Sequence, residues 1–528
     1  MAAVAGLFVI ALGLRLWGIN FGLPALYRPD EDVTVGRAMG ILHGVLDPHF
    51  ADWPHLYFYL AAAWLAPFRL LGLVSDQASG YLGVRILDAL LGSLTVLLVF
   101  EFGRRAYSWL AGFLGAAALA VAFLHVRDSH FGTLDIPLTL ACTGALFVAF
   151  RTITSRGPRP LLANGISLGI AASLKYNGAL VFAGIAAAQW LRGRTQQSSP
   201  TQVLGRLAAT ASVGLATLVL TSPFLVLDPG MSRHGIGYIF QHLGKATAPA
   251  IGFVQLSLAL WYGIDPALLL LGVIGIAYAL WRRTPADWIV LTFLLVYIVL
   301  IGAGGSVFFR YADPLIPPVL LLAGRALAAL VDLATDQRVR ALAVTATIVL
   351  VAVPPLIHDL RYDTLIQQTD TRTLAFEWLA EHIPTGSRAA VPYMAGPAHD
   401  QAMVDSGEHS HGATDPYVAA FLDGRLETQY RIRELTRDDL NLTSLDSFRQ
   451  QGIRYIVIGY ETPGTGCRPD SPLERALLTH GRPITAYSPT IGCPSSVFDP
   501  IDTYYVPLAG YADWVRPGPQ IRIYRLTD

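Results

Sequence analysis

Long apolar runs broken by short polar turns fill the first two thirds of the chain, and a mixed polar stretch makes up the last third. A helix needs roughly twenty apolar residues to cross the ~30 Å of bilayer hydrocarbon. Eleven runs approach that length, at 3–22, 81–102, 109–126, 136–151, 161–176, 178–191, 206–224, 266–281, 288–303, 314–331 and 341–357. A twelfth, at 56–73, opens with His55-Leu56-Tyr57-Phe58-Tyr59 and contains Pro67, which suits a helix lying in the membrane interface. Residues 2–14 are apolar with no small-residue cleavage site before Arg15, so they read as a retained first helix.

Loop charge sets the expected orientation, because cytoplasmic loops carry the excess of basic residues. The basic turns at Arg104 and Arg105, at Arg151, Arg156 and Arg159, at Arg192 and Arg194, at Arg282 and Arg283, and at Arg338 and Arg340 alternate along the chain. They all face the cytoplasm if 56–73 does not cross. The N-terminus is then cytoplasmic, and the loop over 27–80 lies outside. So does everything from about His358, which puts domain limits at 1–357 and 358–528. The outer part reads as α/β. Helical spacing covers 373–382 and stops at Pro384, a strand begins at 389–392, and a short helix covers 445–451. An apolar strand follows at 453–460, and 521–526 alternates like a closing edge strand.

Composition agrees with a polytopic membrane protein: 53% of the 528 residues are hydrophobic, 14% are charged, and mean hydropathy is +0.46. Acids and bases balance, so there is no basic surface for a nucleic-acid partner. Cys467 and Cys493 both fall in the last third, where an extracytoplasmic location would allow a disulfide, whereas Cys142 lies in an apolar run. None of His43, His49, His55, His125 and His130, nor the His409/His411 pair, has a recognised metal-ligand spacing. The sequence therefore requires no cofactor, and a divalent metal is a minor alternative.

Candidate chemistry gathers in the outer loops. The first opens Tyr27-Arg28-Pro29-Asp30-Glu31-Asp32, where Asp30 is also well placed to cap a helix over 35–42. The second contains Arg127, Asp128, His130 and Asp135, the last just ahead of a proline-started helix that it could cap. The third is Lys175-Tyr176-Asn177-Gly178, whose lysine has snorkelling as its simpler explanation. A later turn, Phe309-Arg310-Tyr311-Ala312-Asp313-Pro314, offers Arg310 and Asp313 with a surface ion pair as the simpler reading. Carboxylates, a lysine and an arginine at one membrane level suit an anionic lipid headgroup and a general base. Two other functions fit less of the pattern. A transporter or flippase generally shows repeated halves and mid-bilayer charges, and a non-catalytic scaffold leaves the loop acids unexplained.

The Arg28-Pro29-Asp30-Glu31 run resembles the membrane-embedded glycosyltransferases of the GT-C superfamily. So do Trp53-Pro54-His55-Leu56-Tyr57-Phe58-Tyr59, Asp135-Ile136-Pro137, Ser173-Leu174-Lys175-Tyr176-Asn177 and Arg310-Tyr311-Ala312-Asp313-Pro314-Leu315-Ile316-Pro317. The similarity points to the bacterial group that includes protein O-mannosyltransferases and lipid A aminoarabinose transferases. It implies about eleven spans with interfacial helices in the first outer loop. It also implies a polyprenyl-phosphate sugar donor and a lipid, glycan or protein acceptor at the outer face of the cytoplasmic membrane. On this resemblance Asp30 is the base of an inverting displacement, with Glu31 beside it and Asp135 in the same cavity. Lys175, Arg310 and Tyr311 would contact donor phosphate, and Asp128, His55, Tyr57 and Tyr176 would line the cavity. Trp53 stands where lipid A enzymes often carry Lys. The His-Phe pair and inserted β-trefoil of eukaryotic protein mannosyltransferases do not occur, so protein mannosylation is not favoured.

Overall fold

The computed structural model describes residues 2–25, 27–244, 250–392, 430–436, 438–460, 471–502 and 504–526. Cys467 and the His409/His411 pair lie outside them. The described chain forms two compact units, one of 1–19, 38–74 and 81–360, the other of 20–37, 75–80 and 361–528.

The first unit is helical, and each of the eleven apolar runs lies mostly in helix, the first only as far as Leu16. Five described helices are long and apolar enough to cross a membrane, and a sixth counts if Ile251–Ile264 and Pro266–Arg282, bent by 112°, form one broken span. The run at 109–126 divides into Trp109–Ala120 and Phe123–Asp128. Two helices, Pro229–Gly244 and Ile251–Ile264, occupy a stretch with no expected element. The first carries Ser232, Arg233 and His234 and so fails any apolar-run criterion; the second has 14 residues, too few for the length rule.

Small residues bring these helices together. In Ile316–Val331, a Cβ on Gly324 would meet the Gly115 backbone nitrogen of Trp109–Ala120 at 2.4 Å, so only a hydrogen at that position permits the contact. One charged cluster sits at the start of helix Pro285–Gly302, where Asp287 accepts from the Arg325 guanidinium and from Tyr107 Oη at 3.0 Å. Arg325 also stacks 4.4 Å from the Tyr107 ring centroid. Those charges close the ends of neighbouring helices.

The second unit holds a five-stranded sheet. Its strands are β1 (Arg388–Pro392), β2 (Arg431–Leu435), β3 (Ile453–Gly459), β4 (Gly481–Tyr487) and β5 (Ile521–Leu526), in the order β2-β1-β3-β5-β4. β1 runs parallel to β2 and β3, and β5 runs antiparallel to β3 and β4. Both faces are covered. Ala389, Val391, Tyr455, Val457, Ile521 and Ile523 pack with Ala375, Leu379 and Ile383, while Ala390, Ile456, Ile458, Tyr524 and Leu526 pack with Phe448, Leu473 and Leu477. Burial of successive side chains on opposite faces is why β3 reads as a continuous apolar run. The expectation of an edge strand at 521–526 is corrected: among the described strands β5 is interior, and β2 and β4 are the edges, β4 the more exposed. Cys493 is disulfide-bonded and Cys142 is a buried free thiol.

Residues 20–37 join this unit through buried polar contacts. Arg28 pairs with Asp502 at 2.5 Å and lies 5.3 Å from the Tyr504 ring centroid. Tyr27 Oη is 2.7 Å from Thr373 Oγ1, and the Arg372 guanidinium stacks 3.8 Å from the Tyr27 ring centroid.

Candidate active site

In the helical unit, helix Asp135–Thr152 begins where helix Arg159–Leu174 ends, so the start of one and the end of the other lie side by side. Lys175 leaves the second helix in extended conformation and starts a 3-10 turn over Tyr176–Val181. That turn folds tightly onto its own helix, since a Cβ at Gly178 would approach Ala171 O to 2.1 Å. A third segment, the 3-10 turn Phe309–Leu315, carries Arg310, Tyr311 and Asp313 into helix Ile316–Val331, whose Pro317 and Pro318 suit a first turn without N–H partners.

These ends converge on Asp135. Lys175 Nζ donates to Asp135 Oδ1 at 2.7 Å, and Arg310 Nε lies 3.5 Å from Asp135 Oδ2. Lys175 Nζ also sits 4.2 Å from the Tyr311 ring centroid, where an ammonium is favoured over the aromatic face. Tyr297 Oη donates to Tyr311 O at 3.1 Å and accepts from Asn177 Nδ2 at 2.9 Å, tying the two turns together. Arg127 Nε is 3.6 Å from Asp128 Oδ1, and Asp313 lies within electrostatic reach of Asp128, Asp135 and Arg127. Asp128, Asp135, Asp313, Arg127 and Arg310 are all buried. Three carboxylates and three cations in an apolar helical unit are costly unless paired, so the cluster is held for more than packing.

The simpler readings give way. Leu134 occupies the cap position before Asp135, with no side-chain capping bond, and the Asp135 carboxylate serves Lys175 instead. Lys175 has a side chain only 12% exposed, which rules out snorkelling. Asp313 is fully buried, so an Arg310–Asp313 pair at the surface is excluded.

The other expected residues lie around this cluster in different ways. Tyr176 Oη donates to Ala51 O at 2.9 Å. The His55 backbone N–H donates to Ser222 Oγ at 2.9 Å, and His55 Nε2 is 2.7 Å from Phe50 O. Tyr57 Oη donates to Asp88, whose other carboxylate oxygen accepts Thr133 N–H at 2.9 Å. Asp88 therefore links helix Leu56–Leu70 to the turn just before Asp135, a role that sequence reading missed. The available signal was a carboxylate inside the apolar run at 81–102. Asp88→Ala is expected to lower stability by about 2–4 kcal/mol, leaving a buried hydroxyl and a buried N–H without their acceptor. Thermal unfolding in detergent with a midpoint unchanged from wild type would contradict that role.

Asp30 and Glu31 belong to the other unit. Asp30 precedes helix Glu31–Leu42 with φ +73°, and its carbonyl accepts Thr34 N–H at 3.3 Å; Glu31 is fully buried. Beside them, burial and then the Asp30 carboxylate push Asp32 from 3.8 up to about 6. Folded Asp32 thus keeps a proton that the unfolded chain releases, so its contribution to stability is present below about 4 and lost as pH rises to about 6. Melting midpoints measured between pH 4 and 7 are expected to show this fall, and Asp32→Asn to remove it.

Residues 59–226, about a third of the chain, match a family described as dolichyl-phosphate-mannose-protein mannosyltransferase. No curated protein sequence matches at a significant level. Among solved structures, the oligosaccharyltransferase of Archaeoglobus fulgidus in its apo form is similar over 92% of this chain and 73% of its own, at 14% identity and TM-score 0.53. ArnT from Cupriavidus metallidurans bound to undecaprenyl phosphate is similar over 98% of this chain and 97% of its own, at 16% identity and TM-score 0.49. The family match spans the helices that carry Asp135 and Lys175, and the archaeal enzyme shares the fold along most of the chain. Over residues 59–226 the chain is thus similar to the dolichyl-phosphate-mannose-protein mannosyltransferase family, and over most of its length it shares the fold of the archaeal membrane oligosaccharyltransferase.

Proposed function

We propose that the chain moves a sugar from a polyprenyl-phosphate carrier to an acceptor hydroxyl at the extracytoplasmic face of the cytoplasmic membrane, with inversion. The observation that carries this reading is the convergence of Lys175 and Arg310 on the single carboxylate of Asp135. Lys175 and Arg310 are thereby set side by side, and both can meet an anionic phosphate oxygen. The similar archaeal oligosaccharyltransferase has been solved with a dolichol-phosphate, which supports a lipid-phosphate carrier.

In the reaction, the acceptor oxygen forms a bond to the anomeric carbon as the bond from that carbon to the phosphate oxygen breaks. The electron pair leaves with the phosphate, where Lys175 and Arg310 stabilise the developing charge, and Tyr311 holds Lys175 in place. The acceptor proton goes to Asp30, with Glu31 its neighbour. Phosphate is a good leaving group, so no general acid is needed. Asp128 belongs to the same charged cluster, and Tyr57, His55 and Tyr176 bind the first outer loop around it. Residues 1–357 form the catalytic membrane part on this reading and 358–528 an extracytoplasmic domain, with the N-terminus cytoplasmic. The acceptor is a lipid, a glycan or a protein.

Native mass spectrometry of the detergent-purified protein tests the donor class. A bound lipid that fragments to a polyprenyl phosphate and a sugar is expected. Absence of any such lipid, even after adding a panel of polyprenyl-phosphate sugars, would return the charged cluster to a transport role.

A further inference from the structure

We propose that Asp47, His49 and Asp228 form a binding site for a divalent transition-metal ion of the zinc class. Each offers one ligand atom, and the three atoms lie within 4.8 Å of one another. All three residues belong to the helical unit, but they come from segments some 180 positions apart. This site is separate from the Asp135 cluster and does not depend on the transfer reaction.

Spacing favours an ion over a simple hydrogen bond. His49 Nδ1 and Asp47 Oδ2 stand 3.5 Å apart, long for a hydrogen bond. Two ligands of a tetrahedral zinc ion, each about 2.0–2.2 Å from the metal, are separated by roughly 3.4 Å. Both carboxylates are also oriented from behind. Asp47 Oδ1 accepts His49 N–H at 2.9 Å, and Asp228 Oδ1 accepts Met231 N–H at 3.0 Å. Such outer contacts orient the two carboxylates and lower the cost of ordering them around an ion.

The two ligand-bearing segments are packed together beside the trio. A Cβ on Gly235 would come within 2.3 Å of the Ala51 carbonyl carbon, so the turn after Asp47 lies directly on helix Pro229–Gly244. His55 N–H donates to Ser222 Oγ on the other side of Asp228. The site is thus preorganised by backbone packing. It is also open: the His49 side chain is 47% exposed, which leaves room for water to complete the coordination of a three-ligand site. An imidazole in the set favours zinc or its transition-metal neighbours over calcium and magnesium, which prefer oxygen-only ligands. Occupancy would staple the first outer loop to the segment around Asp228, next to Ala51, whose carbonyl holds Tyr176, the neighbour of Lys175.

The test is calorimetric titration of Zn²⁺ into the chelator-stripped, detergent-purified full chain. One saturable ion per chain is expected, weakened at least tenfold by His49→Ala and by Asp228→Asn. Asparagine still accepts Met231 N–H, so the second variant removes charge and leaves the turn intact. Zn²⁺ should also raise the melting midpoint of wild type and not that of His49→Ala. No saturable binding, or equal binding in wild type and both variants, overturns the site; tighter binding of Ca²⁺ or Mg²⁺ than of Zn²⁺ overturns the zinc-class assignment.

Discussion

Asp30→Asn is expected to lower sugar transfer by about 10³-fold, within the range a positioned general base contributes, while the protein folds and binds donor as before. The substitution is conservative where Asp30 stands. Its backbone has φ +73°, a left-handed conformation that Asn tolerates as well as Asp does. At the start of helix Glu31–Leu42 the Asp30 carbonyl accepts Thr34 N–H, a backbone contact that Asn keeps. A loss of transfer with an unchanged melting midpoint therefore reports the missing proton acceptor. The measurement is single-turnover transfer from a polyprenyl-phosphate sugar, with donor binding followed separately. Wild-type transfer by Asp30→Asn would remove Asp30 from the chemistry. If Glu31→Gln were the inactive variant instead, the base would be Glu31, whose full burial sets it apart from its half-buried neighbour.

Lys175→Ala is expected to weaken donor binding by about 10- to 100-fold, the value of one to two charge-assisted hydrogen bonds to phosphate. It should also destabilise the protein, because the buried Asp135 carboxylate would lose its 2.7 Å partner and keep Arg310 at 3.5 Å. Breaking a buried pair costs about 3–5 kcal/mol when no partner remains, and Arg310 keeps the loss below that. The two effects separate in a double variant. Lys175→Ala with Asp135→Asn removes the orphaned charge, so stability should return while donor binding stays weak. Recovery of donor binding along with stability would mean that Lys175 serves only to neutralise Asp135, and the phosphate role would fall. Lys175→Arg is not a silent control, since the ammonium sits close over the Tyr311 ring and a guanidinium has a different reach and shape.

Much of the fold was legible because apolar runs are a local property. Each of the eleven runs is mostly helical, and in the sheet-bearing unit the strands at β1 and β3 and the helix Thr371–His382 fall where spacing and proline placed them. What local reading lost was short or mixed. Strand β2, strand β4 and helix Pro472–His480 carry too many polar residues to stand out. The order of strands was also hidden, because alternation in β5 tells which side chains face in, not which neighbours it pairs with.

The candidate site divides in the same way. The presence of Asp30, Asp135, Lys175 and Arg310 near helix ends was determined by sequence alone, since charges beside apolar runs stand out and their order resembles a known family. Which of them meet was decided by tertiary structure. Asp135 could have capped its own helix and Lys175 could have reached for water; instead the tight turn at Gly178 and the proline-rich start of Ile316–Val331 bring Lys175, Arg310 and Asp135 together. Asp88 and the Asp47–His49–Asp228 trio were beyond local reading for the same physical reason. Their partners lie 31 to 181 positions away, and only packing of distant helices turns such separations into distances of a few ångströms.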